Sequence, residues 1–358
     1  MNKLRAGILG ATGMVGQRFI TLLTNHPWIR VTCLAASPKS RGKTYEEAVA
    51  GRWQMDVNIP EYAKKITLYA VEEDTDRIAA NVDFVFSAME MDKEKIKETE
   101  IKYAQKEIAV VSNNSAHRFT DDVPMVMPEI NPHHLKLIDG QRKNRGWKKG
   151  MIAVKPNCSI QSYVSILTAL KNYQPQKVWV TSLQAISGAG KTFNNWPEML
   201  DNVIPLIKGE EEKSEKEPLK IWGTVKGNRI DYAKLPSIAA TCIRVPVSDG
   251  HMACVTVSFK KKLRREEIIS AVKKYQPLKL LNLPSAPKEF IRYFEDENRP
   301  QTKLDRNHEN GMGITMGRLR EDSHLNWAFI ALSHNTIRGA AGGAILLAEL
   351  LIKKKYIT

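Results

Sequence analysis

A glycine-rich segment close to the start of the chain constrains the fold more than any other feature. An apolar run from Leu4 to Leu9 leads directly into Gly10-Ala11-Thr12-Gly13-Met14-Val15-Gly16, and a helical pattern follows through Leu23. In such a strand-turn-helix unit, the glycines permit a tight turn, close approach of a pyrophosphate and packing of the helix on the strand. The helix N-terminus then faces the phosphates. The segment predicts dinucleotide binding; a purely structural glycine turn is the alternative.

Strand and helix patterns alternate over the first part of the chain. The expected strands are Leu4 to Leu9, Val31 to Ala36, Val82 to Ser87, Ile108 to Ser112 and Met151 to Val154, with helices at Phe19 to Leu23 and Lys93 to Lys106. This βαβ rhythm indicates a parallel sheet. Beyond it, longer strands are expected at Gln176 to Ile186, His251 to Phe259 and Leu325 to Leu332, with a helix at Glu266 to Tyr275. The predicted fold class is α/β, with a Rossmann domain followed by an α+β domain whose sheet is mostly antiparallel.

The composition indicates a folded chain without a disulfide framework. At 358 residues and 42% hydrophobic content, the chain is long enough for two packed cores. Cys33, Cys242 and Cys254 lie in apolar surroundings, and the four cysteines form no CxxC pair. We therefore expect these three to be buried, and we predict no metal site. This usage fits a reducing cytoplasm.

Membrane and nucleic-acid functions are not favoured. Glycines interrupt the apolar stretch near the N-terminus, so a secretory signal is not expected. The apolar segment from Ala340 to Ile352 is shorter than the roughly 20 residues that span a bilayer, and we expect a buried helix that packs on the first domain. The net charge of +15 is concentrated in Arg142 to Lys149, Lys260 to Arg265 and Lys353 to Lys355, and Trp147 is the one aromatic residue within these clusters, too few for a stacking platform. Solvated surface charge is favoured over nucleic-acid binding.

The segment after the second expected strand bears on the choice of cofactor. A site that prefers NAD usually has an acidic residue there, which holds the ribose hydroxyls. Here Ser37, Lys39, Ser40 and Arg41 follow instead, and hydroxyls and cations suit a 2′-phosphate. The segment favours NADP, and an exposed basic loop without a ligand is the alternative.

Cys158 differs from the other three cysteines because its neighbours are polar. It lies in Lys155-Pro156-Asn157-Cys158-Ser159, between the strand that ends at Val154 and a helical pattern that starts at Ile160. The positive end of a helix, or a nearby imidazole, can lower the pKa of a thiol and make a nucleophilic thiolate. We predict a nucleophile; a structural cysteine is the alternative.

A second segment offers an imidazole and a guanidinium group. In Arg244-Val245-Pro246-Val247-Ser248-Asp249-Gly250-His251, the histidine begins a strand and the arginine ends another. Imidazole exchanges protons near neutral pH, and arginine can bind a carboxylate through two parallel hydrogen bonds. Neither residue is decisive alone.

Together these motifs resemble the aspartate-semialdehyde dehydrogenase family, in particular its archaeal and fungal-like branch, over essentially the whole chain. Besides the three segments above, the ordered matches are Ser112 to Arg118, Pro128 to Asn131, Gln184 to Gly190, Glu210 to Lys213 and His334 to Gly339. The resemblance implies an NADP-binding domain at 1–156, a catalytic and dimerisation domain at 157–333, and a C-terminal segment at 334–358 that returns to the first domain. A homodimer or homotetramer is also implied.

The resemblance further implies NADPH-dependent reduction of L-4-aspartyl phosphate to the semialdehyde, through a thioester on Cys158. His251 would be the general acid/base and Gln184 would orient the reacting group. Substrate would be held by Arg244 at its α-carboxylate, by Glu210 at its ammonium group, and by Lys213, Arg118 and Asn157 at its phosphate. Further cofactor contacts would come from Ser87, Ser187, Gly188, Gly190, Asn335 and Thr336.

Without the resemblance, several of these residues would have ordinary structural explanations. The run Glu210 to Lys213 would be a solvated face, Arg118 an exposed loop residue and Gln184 a strand residue with a structural hydrogen bond. Two rival functions also remain. A malonyl-CoA reductase would share the thioester chemistry, but its substrate has no phosphate or α-ammonium group for these residues to hold. N-acetyl-glutamyl-phosphate reductase is ranked lower for the same reason. A non-catalytic, basic Rossmann protein would leave Cys158, Arg244 and His251 unexplained.

Overall fold

A six-stranded parallel sheet forms the first half of the molecule. The structure, a computed structural model, describes residues 3–279 and 281–358. The strands of this sheet are β1 (Leu4–Leu9), β2 (Ile29–Ala36), β3 (Tyr69–Ala70), β4 (Phe84–Ser87), β5 (Ala109–Ser112) and β6 (Met151–Val154). Their order is β3-β2-β1-β4-β5-β6, and all pairings are parallel. This is the strand order of a Rossmann dinucleotide-binding domain, which confirms the prediction.

Helices cover both faces of this sheet because its strands are apolar on both sides. They are α1 (Met14–Leu22), α2 (Tyr45–Val49), α3 (Glu61–Lys64), α4 (Thr75–Asn81), α5 (Lys93–Gln105) and α6 (Leu137–Arg145). The helix predicted from Phe19 begins five residues earlier, at Met14, so that its first turn directly follows the glycine-rich segment.

A second six-stranded sheet forms the other half, in the order β10-β7-β11-β14-β13-β12. Its strands are β7 (Pro175–Gln184), β10 (Ser237–Arg244), β11 (His251–Phe259), β12 (Ile291–Tyr293), β13 (Ile314–Glu321) and β14 (Trp327–Ser333), and a small hairpin is made by β8 (Thr224–Lys226) and β9 (Arg229–Asp231). The three central pairings are antiparallel and the two outer pairings are parallel. The sheet is thus mixed rather than mostly antiparallel. The long connections before β10 and β12 allow these two strands to run parallel to their neighbours β7 and β13.

One face of the second sheet is covered by helices. These are α7 (Gln161–Ala169), α8 (Glu210–Ile221) and α9 (Arg265–Lys274), and a short α10 (Thr302–Asp305) lies near the sheet edge. Strand β11 alternates strictly between buried and half-exposed side chains, so its second face is open. Cys254 lies on that open face and is half-buried, whereas Cys33 and Cys242 are buried as expected.

The last helix, α11 (Gly342–Lys353), packs on the Rossmann half. Its side chains join Phe19, Phe84 and Val111 in one hydrophobic cluster. The buried carboxylate of Glu349 contacts His26 at 2.9 Å and accepts the backbone N–H of Ser285. The C-terminal helix therefore joins both halves of the chain.

Candidate active site

Four strand ends of the second sheet meet at one edge. Strands β7 and β10 run parallel in a register that pairs Gln184 with Arg244, so both strands end together. Strand β11 is antiparallel to β7 and begins at His251, which pairs with Ser333 at the end of β14. Residues that are far apart in sequence are thus brought together by strand register.

Cys158 lies where the first sheet leads into the second half. It follows β6 and precedes α7, which begins at Gln161, so the cysteine lies just outside the helix rather than in its first turn. The neighbouring Asn157 donates its amide Nδ2 to both carboxylate oxygens of Glu210, at 3.1 and 2.9 Å. Its Oδ1 accepts the backbone N–H of Ser159 at 2.7 Å. These bonds fix the loop that carries the thiol.

A cavity of about 240 Å³ opens above Cys158. It is lined by Val15, Asn113, Asn114, Ser115, Arg118, Lys155, Asn157, Cys158, Ser187, Gly188, Glu210, Lys213, Asn335, Thr336, Gly339 and Ala340. Most of the predicted substrate residues thus share one space with the cysteine. Arg244 and His251 lie buried beside it, because a Cβ atom placed on Gly188 would be 2.9 Å from the Arg244 guanidinium and 3.0 Å from Nε2 of His251. Gln184 is also buried, at the end of β7, where it pairs with Arg244.

The buried side-chain atoms without a hydrogen-bond partner among the described residues include Nε2 of His251, beside this cavity, and Nε2 of Gln184, at the end of β7. Nδ1 of His251 accepts the backbone N–H of Ala185 at 3.1 Å, so the neutral ring carries its hydrogen on Nε2. Burial, followed by the charges of Arg244 and His334, holds the pKa of His251 well below its ordinary value. A neutral imidazole therefore offers a donor without a protein acceptor beside the cavity, as a site for a polarised substrate oxygen would require.

The charged groups form a mixed cluster. Arg244 donates to the carbonyl of Ala185 at 2.7 Å. Lys213 pairs with Glu210 at 2.6 Å. Burial acts to raise the pKa of Glu210, but Lys213, Asn157 and Arg118 outweigh it and keep that pKa below the ordinary range. The cavity thus contains one ionised carboxylate among several cations, which suits a ligand that is anionic at two points and cationic at one.

The side chain of Arg118 is held by several contacts, whereas the local sequence alone would suggest an exposed loop residue. It is buried and forms an ion pair with Glu217 at 2.9 Å, and it also donates to the carbonyl of Asn113. Its Nε has no partner among the described residues. The other oxygen of Glu217 accepts the backbone N–H of Asn157 at 2.6 Å. Arg118 and the cysteine loop are therefore held by one carboxylate.

Groups around Cys158 shift the pKa of its thiol in opposite directions. Burial and the charge of Glu210 raise its pKa above the ordinary value, while Lys155, Arg118 and Arg244 act to lower it. The sequence predicted a lowering by the helix end and an imidazole. Here the stabilising charges are the surrounding cations instead, because the neutral His251 contributes none.

A second cavity, of about 380 Å³, lies over the glycine-rich segment. Gly10 and Gly16 both require glycine, because a Cβ on Gly10 would collide with the carbonyl of Ala88 and one on Gly16 with the carbonyl of Gly10. Gly13 caps α1, whose first turn contains no acidic residue, and Thr12 and Gly13 line the cavity. Free N–H groups at a helix start, next to an open cavity, fit a dinucleotide pyrophosphate.

The predicted 2′-phosphate segment is only partly at this cavity. Ser37 lines it, whereas Lys39, Ser40 and Arg41 do not, and Arg41 is paired with Asp74 and Glu73. The cation in the lining is Arg52, for which no sequence motif indicated a role.

Only some of the residues predicted at the nicotinamide end line one of the two cavities. Ser87 is buried, and its hydroxyl accepts a hydrogen bond from the side-chain amide of Asn114 at 2.9 Å. It lines neither cavity, whereas the residues that follow it, Ala88 to Met91, line the larger one. Asn335 donates to the hydroxyl of Ser187 and accepts the N–H of Gly250, both at 2.8 Å. Ser187, Gly188, Asn335 and Thr336 line the smaller cavity with Val15 of α1, and Gly190 lies outside its lining. The two cavities therefore flank the start of α1.

Comparisons with known proteins agree with this geometry. The family model for the semialdehyde dehydrogenase NAD binding domain matches residues 5–138, and that for the semialdehyde dehydrogenase dimerisation domain matches residues 167–338. The aspartate-semialdehyde dehydrogenase of Archaeoglobus fulgidus is 46% identical over 351 residues, covering 98% of each chain. The chain belongs to the aspartate-semialdehyde dehydrogenase family. The resemblance found in the sequence is confirmed.

Other members of the aspartate-semialdehyde dehydrogenase family match equally completely. The Aspergillus fumigatus enzyme is 40% identical over 365 residues, covering 99% of both chains. A crystal structure of the Candida albicans aspartate-semialdehyde dehydrogenase with NADP matches with a TM-score of 0.88 at 36% identity, over 99% of this chain and 100% of that one. Within residues 3–279 and 281–358, no helix combines the length and apolarity needed to cross a membrane.

Proposed function

We propose that this protein catalyses the NADPH-dependent reductive dephosphorylation of L-4-aspartyl phosphate to L-aspartate 4-semialdehyde, a step in amino-acid biosynthesis from aspartate. The observation that carries the proposal is the placement of Cys158 in a cavity beside a buried donor without an acceptor, Nε2 of His251. Family membership supports the same conclusion.

The charges of the cavity match this substrate. An aspartyl phosphate has one α-carboxylate, one α-ammonium group and a phosphate. We assign the carboxylate to Arg244 and the ammonium group to Glu210, which is held ionised. Lys213, Arg118 and Asn157 lie in the same lining and receive the phosphate. A CoA thioester would leave most of these groups without a partner, which disfavours malonyl-CoA reductase.

The chemistry follows from these positions. The sulfur of Cys158 adds to the acyl carbon, the bond to the phosphate oxygen breaks, and phosphate leaves a thioester behind. The Nε2–H of His251 and the amide of Gln184 donate hydrogen bonds to the oxygen that becomes negative, and His251 is the acid/base of the reaction. When bound, NADPH supplies the hydride that takes the acyl carbon to the aldehyde level. Collapse of the resulting thiohemiacetal releases the thiol.

Our assignment of the cofactor rests on the larger cavity. Gly10, Thr12, Gly13, Met14, Val15 and Gly16 would approach the pyrophosphate and the ribose next to it. Ser37 and Arg52 would be nearest a 2′-phosphate, since both line the cavity and no acidic residue ends β2. Asn335 and Ser187 would shape the nicotinamide end.

A paired-substrate assay tests the function. Purified protein is given aspartate semialdehyde, phosphate and NADP, and the reduced cofactor is followed by absorbance; in parallel it is given malonyl-CoA and NADPH. We expect turnover with the semialdehyde and little with malonyl-CoA. A preference for malonyl-CoA would overturn the substrate assignment.

The covalent step has its own test. Cys158→Ala should abolish turnover while leaving NADP binding intact, because the glycine-rich segment is untouched. Cys254→Ala, on the half-exposed face of the second sheet, is the matched control and should retain turnover. Turnover in Cys158→Ala would remove the thioester mechanism.

We also propose the domain division 1–156, 157–333 and 334–358, a cytoplasmic location and a homodimer or homotetramer. The open face of the second sheet is the proposed subunit contact, because Trp179 on β7 is 52% exposed there and matches to the dimerisation-domain model cover this sheet. Light scattering coupled to size exclusion measures the molar mass; a monomer at micromolar concentration would contradict the proposal.

A further inference from the structure

Lys155 is a buried lysine in the lining of the cavity that contains Cys158. It directly follows β6 and is 2% exposed. Its Nζ donates to the carbonyl oxygens of Pro156 and Gly339. The first carbonyl belongs to the cysteine loop and the second to the segment before α11. One ammonium group therefore joins two parts of the chain that lie 184 residues apart.

We propose that Lys155 is a positioning residue for Cys158, which clamps the cysteine loop against Gly339 and places a positive charge beside the thiolate. The inference rests on the proposed role of Cys158 as nucleophile.

The packing around the cysteine supports the clamp. A Cβ atom on Gly339 would lie 2.6 Å from Cβ of Cys158, so the Gly339 backbone supports the cysteine directly. A Cβ on Gly343 would lie 3.4 Å from Cε of Lys155, so the start of α11 packs on the lysine stem. Displacement of the Gly339 carbonyl would therefore shift the surface against which the cysteine rests.

Two buried arginines near the site, unlike Lys155, pair with carboxylates. Arg338 is 1% exposed and pairs with both carboxylate oxygens of Glu129. Arg118 pairs with Glu217. Lys155 has no carboxylate within ion-pair distance among the described residues, and only neutral carbonyls receive its hydrogen bonds. An ammonium group buried in this way is costly unless an anion compensates it, and the thiolate in the same cavity is such an anion.

The charges around both groups indicate coupled titration. Burial lowers the pKa of Lys155 to about 7; Arg118 and Arg338 act in the same direction, whereas Cys158 and Glu217 raise it. For Cys158, burial and Glu210 favour the neutral thiol, and Lys155, Arg118 and Arg244 favour the thiolate. Ionised lysine and ionised cysteine thus stabilise each other.

Thiol reactivity measures this coupling without turnover. The rate of Cys158 alkylation by iodoacetamide, a neutral reagent, is followed against pH by mass spectrometry of the peptide that contains Cys158. Lys155→Met removes the charge and the donors but keeps the length of the side chain. Lys155→Gln removes the charge but keeps amide donors. Lys220→Met is the matched control, because Lys220 is equally buried and donates to three carbonyls, of Arg118, Thr120 and Val123.

We expect the alkylation profile of both Lys155 variants to move to higher pH by about one unit or more, which makes alkylation on the acidic limb about tenfold slower. The Lys220 variant should keep the original profile even if its urea midpoint falls. Wild-type profiles in both Lys155 variants, or an equal shift in Lys220→Met, would overturn the inference. If Lys155→Gln keeps the wild-type profile while Lys155→Met does not, the positive charge of Lys155 is not what favours the thiolate.

These outcomes are separable from failure of the proposed function. If Cys158→Ala still turns over, the covalent mechanism fails whatever the alkylation profiles are. If Cys158→Ala is inactive and the Lys155 variants alkylate as the wild type does, the mechanism stands and only the role of Lys155 fails.

Discussion

At the scale of single residues, Glu90 is an exposed carboxylate at the cavity that we assign to the anionic cofactor. It lines the larger cavity, and its Oε1 is 3.2 Å from where a Cβ on Gly13 would be and 3.9 Å from that position on Gly190. It therefore lies between the glycine-rich turn and the Ser187–Gly190 turn, near the N-terminus of α1. A carboxylate is favourable at this helix end, but it repels the phosphates that we assign to the same place.

Glu90→Gln should therefore bind NADPH more tightly. Removal of one like charge near a helix terminus is worth about 0.3–1 kcal/mol, or roughly a two- to fivefold lower dissociation constant. Fluorescence titration of NADPH at low salt measures it. The gain should shrink in 1 M NaCl because salt screens the repulsion. Glu297→Gln removes an equal charge at an exposed position and should change nothing; an unchanged affinity in Glu90→Gln would contradict the prediction.

The sequence identified some residues of the site far better than others. Cys158 and His251 stand in motifs whose local chemistry is unusual, and the structure brings both to one cavity edge. Lys155 and Arg52 carry no such local signal. The burial of Lys155 depends on Gly339, which is distant in sequence, and the position of Arg52 depends on how the segment after α2 folds over the cavity. Only tertiary packing reveals them.

At the scale of elements, helix α8 organises the charged half of the site. Local sequence alone indicates only a solvated face at Glu210 to Lys213, and the structure has a helix from Glu210 to Ile221. Glu210, Lys213 and Glu217 recur at three- and four-residue spacing and therefore lie on one face, towards the cysteine loop. Because that buried face is charged, hydrophobic periodicity could not distinguish it from the solvent face.

Two substitutions on this helix should differ sharply in stability. Glu217→Gln leaves Arg118 buried without a counter-ion, and removal of one partner of a buried pair costs about 3–5 kcal/mol. Glu212→Gln removes the same charge from an exposed pair with Lys216 and should have little effect. Urea unfolding at neutral pH compares the two variants. Equal midpoints would contradict the idea that Glu217 anchors Arg118 and the cysteine loop.

At the scale of the whole molecule, the fold was largely predictable where strands are apolar and long. The first sheet was anticipated because β1, β2, β4, β5 and β6 are buried on both faces. The short β3 and β12 were missed because two or three residues show no periodicity, and β13 was missed because a glycine and charged residues interrupt its apolar run. The parallel pairing of β10 with β7, which makes the second sheet mixed, depends on a long connection through α8 and has no signature in the strands themselves.

Three buried histidines in different parts of this fold link its stability to pH. Nε2 of His134 donates to the carbonyl of Gly223, and its Nδ1 accepts from Asn131. His117 contacts the carbonyl of Lys97 through Nε2 and Thr120 through Nδ1, and His334 follows β14. Burial is the main cause that lowers the pKa of each from 6.5 to about 4. All three are therefore neutral at pH 7 in the folded protein.

The unfolded chain binds these protons at higher pH than the folded protein does. The stability that these neutral histidines provide is therefore complete above about pH 6.5 and declines as the pH falls towards 4, by up to about 1.4 kcal/mol per pH unit for each histidine within that window. Carboxylates with lowered pKa values, such as Asp74 and Asp305, take effect only at lower pH, and the buried Glu100, whose pKa is raised by burial, acts in the opposite direction to the histidines. A loss of stability between pH 6.5 and 5 therefore reports on the histidines. Urea unfolding across that interval should give a steep slope, which His134→Gln reduces and His324→Gln, at an exposed position, does not. A flat profile in the unsubstituted protein would mean that the three rings take up protons without unfolding.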